Sequence, residues 1–161
     1  MDELSFQVGD KAFYPAHGVA EVTGIESREV GGDRQTFYIL RILDNGVKVL
    51  VPTIANGLRE IMGPDEVEAV FTVLREKEIS VESAPWNRRY REYKYKIDSG
   101  EPKQIAEVLR DLYLLKNDKD LSFGERKMLD TAKSRLVKEL SIARAMGEEE
   151  VEEQFTELFH V

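Results

Sequence analysis

The chain has 161 residues, 42% hydrophobic and 34% charged, with 31 acidic against 23 basic side chains and a formal net charge of −8. That balance suits a globular chain of one domain or two small ones and excludes a disordered or membrane-spanning polypeptide. With no cysteine and only two widely separated histidines, His17 and His160, disulfides, thiolate nucleophiles and zinc centres are set aside, and no metal or other cofactor is expected.

The opening residues MDELSFQVGD lack the basic and apolar regions of a secretory signal, and no apolar run approaches the roughly 20 residues that cross a bilayer. A cytoplasmic protein without a membrane partner is expected. From Phe6 to Pro52 short alternating segments follow one another: FQVGDKAFYP, GVAEVTGIESREV, QTFYILRIL and VKVLVP, with GGD and DNG between the last three. They predict four or five short strands. GGD lacks the lysine and the strand–helix context of a phosphate loop, so it reads as a hairpin turn. Asn45-Gly46 predicts a type I′ hairpin, in which both central residues need positive φ. This many strands in about 50 residues predict a small, strongly bent antiparallel barrel of the SH3 or Tudor kind.

At Gly63-Pro64 the period changes. Val67, Val70, Phe71 and Leu74 recur at helical spacing behind a proline suited to a first turn. A second helix starts near Ser83-Ala84-Pro85 and runs to about Asp98, where SGEP breaks it. A third places Ile105, Val108, Leu109, Leu112 and Leu115 on one stripe. Ser122 and Glu125 form a capping box that opens a long helix, expected to end at Gly147 as its C′ residue. The last segment repeats the spacing at Val151, Phe155, Leu158 and Phe159 under an acidic face. The fold class is therefore α+β: a Tudor/SH3-like antiparallel β-barrel over residues 1–62 followed by an all-α domain over residues 63–161.

Charge is unevenly distributed along this frame. Residues 1–75 carry 7 basic against 12 acidic side chains, residues 88–96 carry 5 against 1, and the chain from 145 onward carries none against 6. No catalytic constellation emerges. His17 sits among turn residues without a nucleophile or acid at a telling spacing, and EEEVEE reads as a solvated helix face. The protein is expected not to be an enzyme.

Binding is better supported, through SAPWNRRYREYKYK. The sole tryptophan, Trp86, stands at a helix start beside Arg88, Arg89 and Arg91, with Tyr90 and Tyr93 interleaved. Cations hold phosphates while a flat apolar ring meets a base, so the stretch reads as a nucleic-acid surface. A second reading makes Trp86 part of the helical core, packed on the first helix with Tyr90 and Tyr93, in a protein-only adaptor. Arg126, Lys127, Lys133 and Lys138 form a second cationic group that could extend the same footprint. Such a contact would be weak and nearly blind to sequence, so another module must deliver it. An RNA-binding role for the β module is disfavoured by its acidity.

Two sets of motifs carry a family resemblance. VGDKAFYPAHGVAEVTGIE, FYILRI and VPT resemble the RNA-polymerase-interacting domain of CarD-like regulators and the transcription-repair coupling factor. PWNRRYREYKYKI, IAEVLRDLYLL, DLSFGERKMLDTAKS and LVKELS resemble the helical domain of CarD-like proteins, particularly the stand-alone CdnL type. The likeness runs from about Phe6 to Arg144. It implies a bacterial transcription-initiation factor whose β module binds the RNA polymerase β subunit through Arg28, Leu50 and Pro52; the protein itself is expected to be a monomer. It further implies that the helical module meets promoter DNA at the upstream edge of the melted bubble. There Trp86 is the minor-groove wedge, with Arg88, Arg89, Arg91 and Arg126 on the backbone, largely without sequence preference; Lys127 of the second cationic group is expected to join that DNA contact.

Overall fold

In the computed structural model, which describes residues 5–77 and 85–159, the chain folds as two units, Met1–Ile61 and Met62–Val161. The first unit is a sheet of five antiparallel strands: β1 (Lys11–Tyr14), β2 (Gly18–Val30), β3 (Asp33–Ile42), β4 (Lys48–Pro52) and β5 (Arg59–Glu60). Their order is β4-β3-β2-β1-β5, so β4 and β5 are edges and the expected barrel is an open, bent sheet. The two-residue β5 pairs only with β1 at Ala12 and Phe13, which is too short a strand to turn back and seal against β4. Alternation still sets the core, with Ala12, Ala20, Val22, Tyr38, Leu40, Ile42 and Val51 gathered around Phe6 on one face. The buried Tyr38 hydroxyl is satisfied by the Phe6 backbone N–H at 3.2 Å.

The tight hairpin lies at Gly31-Gly32, not at Asn45-Gly46. Both glycines have positive φ, 61° and 88°, as the central pair of a type I′ turn requires. Asn45 keeps negative φ. Its side-chain oxygen accepts from the Val47 N–H at 3.0 Å, and the link from β3 to β4 is a longer loop closed by Gly46 N–H on the Ile42 carbonyl. Local Asx bonding supplied the turn there, so a second left-handed residue was not needed.

The second unit is helical: α1 (Pro64–Leu74), α2 (Trp86–Asp98), α3 (Pro102–Asp118), α4 (Phe123–Arg144) and α5 (Glu148–Phe159). The α2 start expected at Ser83-Ala84 lies outside the described residues. α3 is central, packing on α1, α2 and α4, while α5 packs on α4. Ile105, Val108, Leu109 and Leu112 are buried as the stripe requires, with Leu115 half-buried at its end. The α1 residues Val67, Val70, Phe71 and Leu74 are likewise buried. Inside α4 the fully buried Glu139 accepts the Met62 backbone N–H at 2.8 Å, which anchors the first residue of the unit to its longest helix. α4 ends at Arg144, three residues before the expected Gly147. Ala145 takes the left-handed conformation at φ 53° and ψ 47°, with its N–H bonded to the Ile142 carbonyl.

Candidate functional site

The first turn of α2 has no side-chain cap from Pro85, and cations rather than acids follow it. The positive end of the helix dipole and the exposed arginines therefore both favour an anion. Arg88 and Arg91 are exposed. Arg88 pairs only loosely with Glu92, at 3.8 Å between two solvent-facing side chains, a contact of little energetic weight. On α4, Arg126 and Lys127 are also exposed, one turn inside the helix start.

Trp86 is half-buried. Its ring stands edge-on to Tyr90 at 5.8 Å and tilted toward Tyr93 at 6.4 Å. It also lies against the bare backbone of Gly124 on α4. The indole is not sealed in the core, and one part of it remains at the surface. Tyr93 is buried, whereas Tyr90 is exposed.

Arg89 stands apart from the other cations. Its side chain is only 12% exposed, and Nη2 donates to Glu125 Oε2 at 2.9 Å. The guanidinium carbon lies 5.1 Å from the indole centroid, within cation–π range. Glu125 is the capping-box residue of α4: Oε1 accepts the Ser122 N–H at 2.9 Å, while Ser122 Oγ accepts the Glu125 N–H at 3.2 Å. Lys119 Nζ adds a contact at 3.3 Å. Burial alone would push the Glu125 carboxyl up, but the hydrogen bonds from Ser122, Arg89 and Lys119 outweigh it and hold it down to about 2. Burial works against the Arg89 charge, and hydrogen bonds with Glu125 and Tyr93 more than restore it.

Sequence reasoning passed over Phe123. This side chain is 77% exposed at the first position of α4, beside the glycine on which the indole rests. The signal was available: Phe123 lies off the stripe that runs through Glu125, Met128, Leu129, Ala132 and Leu136, so no core position claims it. An exposed aromatic ring flanked by Arg126 and Lys127 adds apolar surface to a cationic rim.

In the β unit, register brings Arg28, Leu50 and Pro52 to one face. Pro52 pairs with Phe37 and Leu50 with Ile39, opposite the core residues Tyr38 and Leu40, and Arg28 pairs with Gln35 on the same side. Phe37 and Ile39 are the members of this face that the sequence did not reveal. Gly24 lies across from Ile39, where a Cβ would come 3.1 Å from Ile39 Cδ1, so the bare backbone lets that side chain lie flat. Arg28 is tied to Glu26 through two hydrogen bonds of 3.1 and 3.2 Å.

Among the described residues there is no group of three or more His, Cys, Asp or Glu able to hold a metal ion. His17 stacks at a tilt on Tyr14, 5.6 Å away. No helix among the described residues is long and apolar enough to cross a membrane.

Comparison with known proteins matches residues 6–62 to the CarD-like/TRCF RID domain and residues 69–156 to the CarD C-terminal domain. YdeB of Bacillus subtilis (strain 168), described as a candidate transcription factor, is 32% identical over 149 residues, covering 91% of this chain and 97% of that protein. A solved structure, CdnLNt from Myxococcus xanthus, is 52% identical and covers 38% of this chain and 92% of its own, with a TM-score of 0.33.

Proposed function

Because the chain belongs to the CarD family of transcription regulators that bind RNA polymerase, we propose that it is a cytoplasmic transcription-initiation factor that holds promoter DNA open. Its β unit binds the polymerase β subunit through the face carrying Arg28, Leu50 and Pro52. Its helical unit contacts DNA at the upstream edge of the bubble through Trp86, Arg88, Arg91, Arg126 and Lys127. The observation that carries this reading is an indole left half-exposed among cations that face solvent. It acts without catalysis.

The division of labour follows from energetics. Phosphate contacts by a few cations are general and salt-sensitive, so alone they choose no site. Tethering to polymerase raises the local concentration of the helical unit at promoters, and location then replaces sequence readout. An aromatic ring at the junction of duplex and melted DNA gains about 1 to 3 kcal/mol from a base exposed only in the open state. That difference shifts the open–closed equilibrium about 5- to 150-fold.

The test is the half-life of the open complex formed by RNA polymerase on a linear promoter fragment, with parent protein and with Trp86→Ala. The expected result is a half-life shortened by that factor while polymerase binding is retained. An unchanged half-life with polymerase binding intact would remove the wedge and leave the protein-only adaptor in its place.

A further inference from the structure

The indole at this face is held in part from outside its own helix. α2 buries only Tyr93 and Ile97 outright, and Pro85 offers its first turn no capping acceptor. Tyr90, Tyr93 and Arg89 of α2 border the ring on one side, and the start of α4 closes it on another. A Cβ on Gly124 would lie 3.0 Å from Trp86 Nε1, 3.2 Å from Cζ2 and 3.3 Å from Cε2. Glycine weakens a helix, and Gly124 is absent from the positive-φ residues that would need one. Its value at this position is the space it leaves. One residue on, Glu125 holds Arg89 at 2.9 Å, and Arg89 in turn lies against the ring at 5.1 Å. At 12% exposure, Arg89 offers little surface to a phosphate.

We infer that Gly124, Glu125 and Arg89 form a seat that fixes the pose of the Trp86 indole, with Arg89 acting as a positioning residue through the ring. The inference rests on the reading that Trp86 meets DNA, and it deepens that reading by tying control of the indole to the start of α4. A planar guanidinium can pair with Glu125 and lie over the ring at once, whereas an ammonium keeps only the charge. Arg89→Lys therefore separates the two roles, since a phosphate contact survives it and the seat does not. Gly124→Ala attacks the seat from the opposite side without changing charge.

The experiment compares the full-length parent, Gly124→Ala, Arg89→Lys, Trp86→Ala and the Gly124→Ala/Trp86→Ala double variant. Two quantities are read: acrylamide quenching of the sole indole in the free protein, and open-complex half-life with RNA polymerase. Gly124→Ala and Arg89→Lys are expected to raise quenching and shorten the half-life severalfold toward that of Trp86→Ala. In the Trp86→Ala background, Gly124→Ala is expected to add nothing. The seat is refuted if Trp86→Ala shortens the half-life while Gly124→Ala and Arg89→Lys leave it at the parent value. It is refuted equally if Gly124→Ala shortens the half-life to the same extent with and without the indole, as general misfolding would. If Trp86→Ala itself has no effect, the DNA reading falls, and the inference built on it falls too.

Discussion

Glu125 has a side chain only 2% exposed, yet it stays ionised. Leaving such a carboxylate without its donors would cost several kcal/mol, so the bonds from Ser122, Arg89 and Lys119 are a condition of the local fold. Its folded-state pKa of about 2 lies below the ordinary 4.5. The proton therefore prefers the unfolded chain, and the stabilisation is complete above pH 4.5 and lost as pH falls through about 2. At neutral pH it amounts to on the order of 3 kcal/mol. Chemical denaturation of parent and Glu125→Gln across that window should show the gap between them closing as pH falls. Burial raises the carboxyl of Asp111 against the pull of Arg110, but that effect is common to both proteins and cancels in the difference. A gap that stayed constant from neutral pH down to pH 2 would mean that Glu125 is not ionised in the fold.

At the scale of elements, the two ends of α4 show what local sequence can and cannot specify. The capping box at Ser122 and Glu125 was legible because both of its bonds span three residues. The same carboxylate's bond to Arg89 spans 36 residues, and no local pattern announces it. Arg89 consequently read as one more cation in a run, and the role of Gly124 could not be seen at all. Helix stripes were legible for the opposite reason, since burial repeats every three to four residues regardless of which element covers them. The C-terminal end of α4 was misplaced because Gly147 is the residue that most easily turns left-handed, whereas the chain turns at Ala145 with φ 53°, where the Met146 N–H bonds the Ser141 carbonyl. Ala145→Gly should raise stability by about 0.5–1 kcal/mol in thermal or denaturant unfolding, with no change in polymerase binding. A loss of stability would show that the Ala145 methyl contributes packing worth more than the backbone strain.

Across the whole molecule, the division at Ile61 and Met62 leaves the helical unit with a leading residue of its own. Met62 is buried at 3% exposure, and its N–H is bonded to Glu139. A fragment beginning at Ile61 should keep both contacts, while one beginning at Pro64 should be less stable by roughly 2–4 kcal/mol in urea unfolding. Equal stability would place the structural boundary later than the contacts do. The broad architecture, strands and then helices, was legible from the change in period near residue 63. Whether the sheet closes was not, because closure depends on the length of β5, and a two-residue strand leaves almost no pattern to read.

The free edge of β4 carries its own limit. Lys48 and Pro52 bracket a run of only three residues, Val49 to Val51, and proline donates nothing to a visiting strand while lysine discourages a long one. Any chain that docks there has room for a brief grip, so its hold must come mainly from side chains laid over Phe37, Ile39 and Leu50. Such an attachment is selective about shape and readily exchanged, and its shortness guards the isolated protein against runaway stacking of one sheet upon the next.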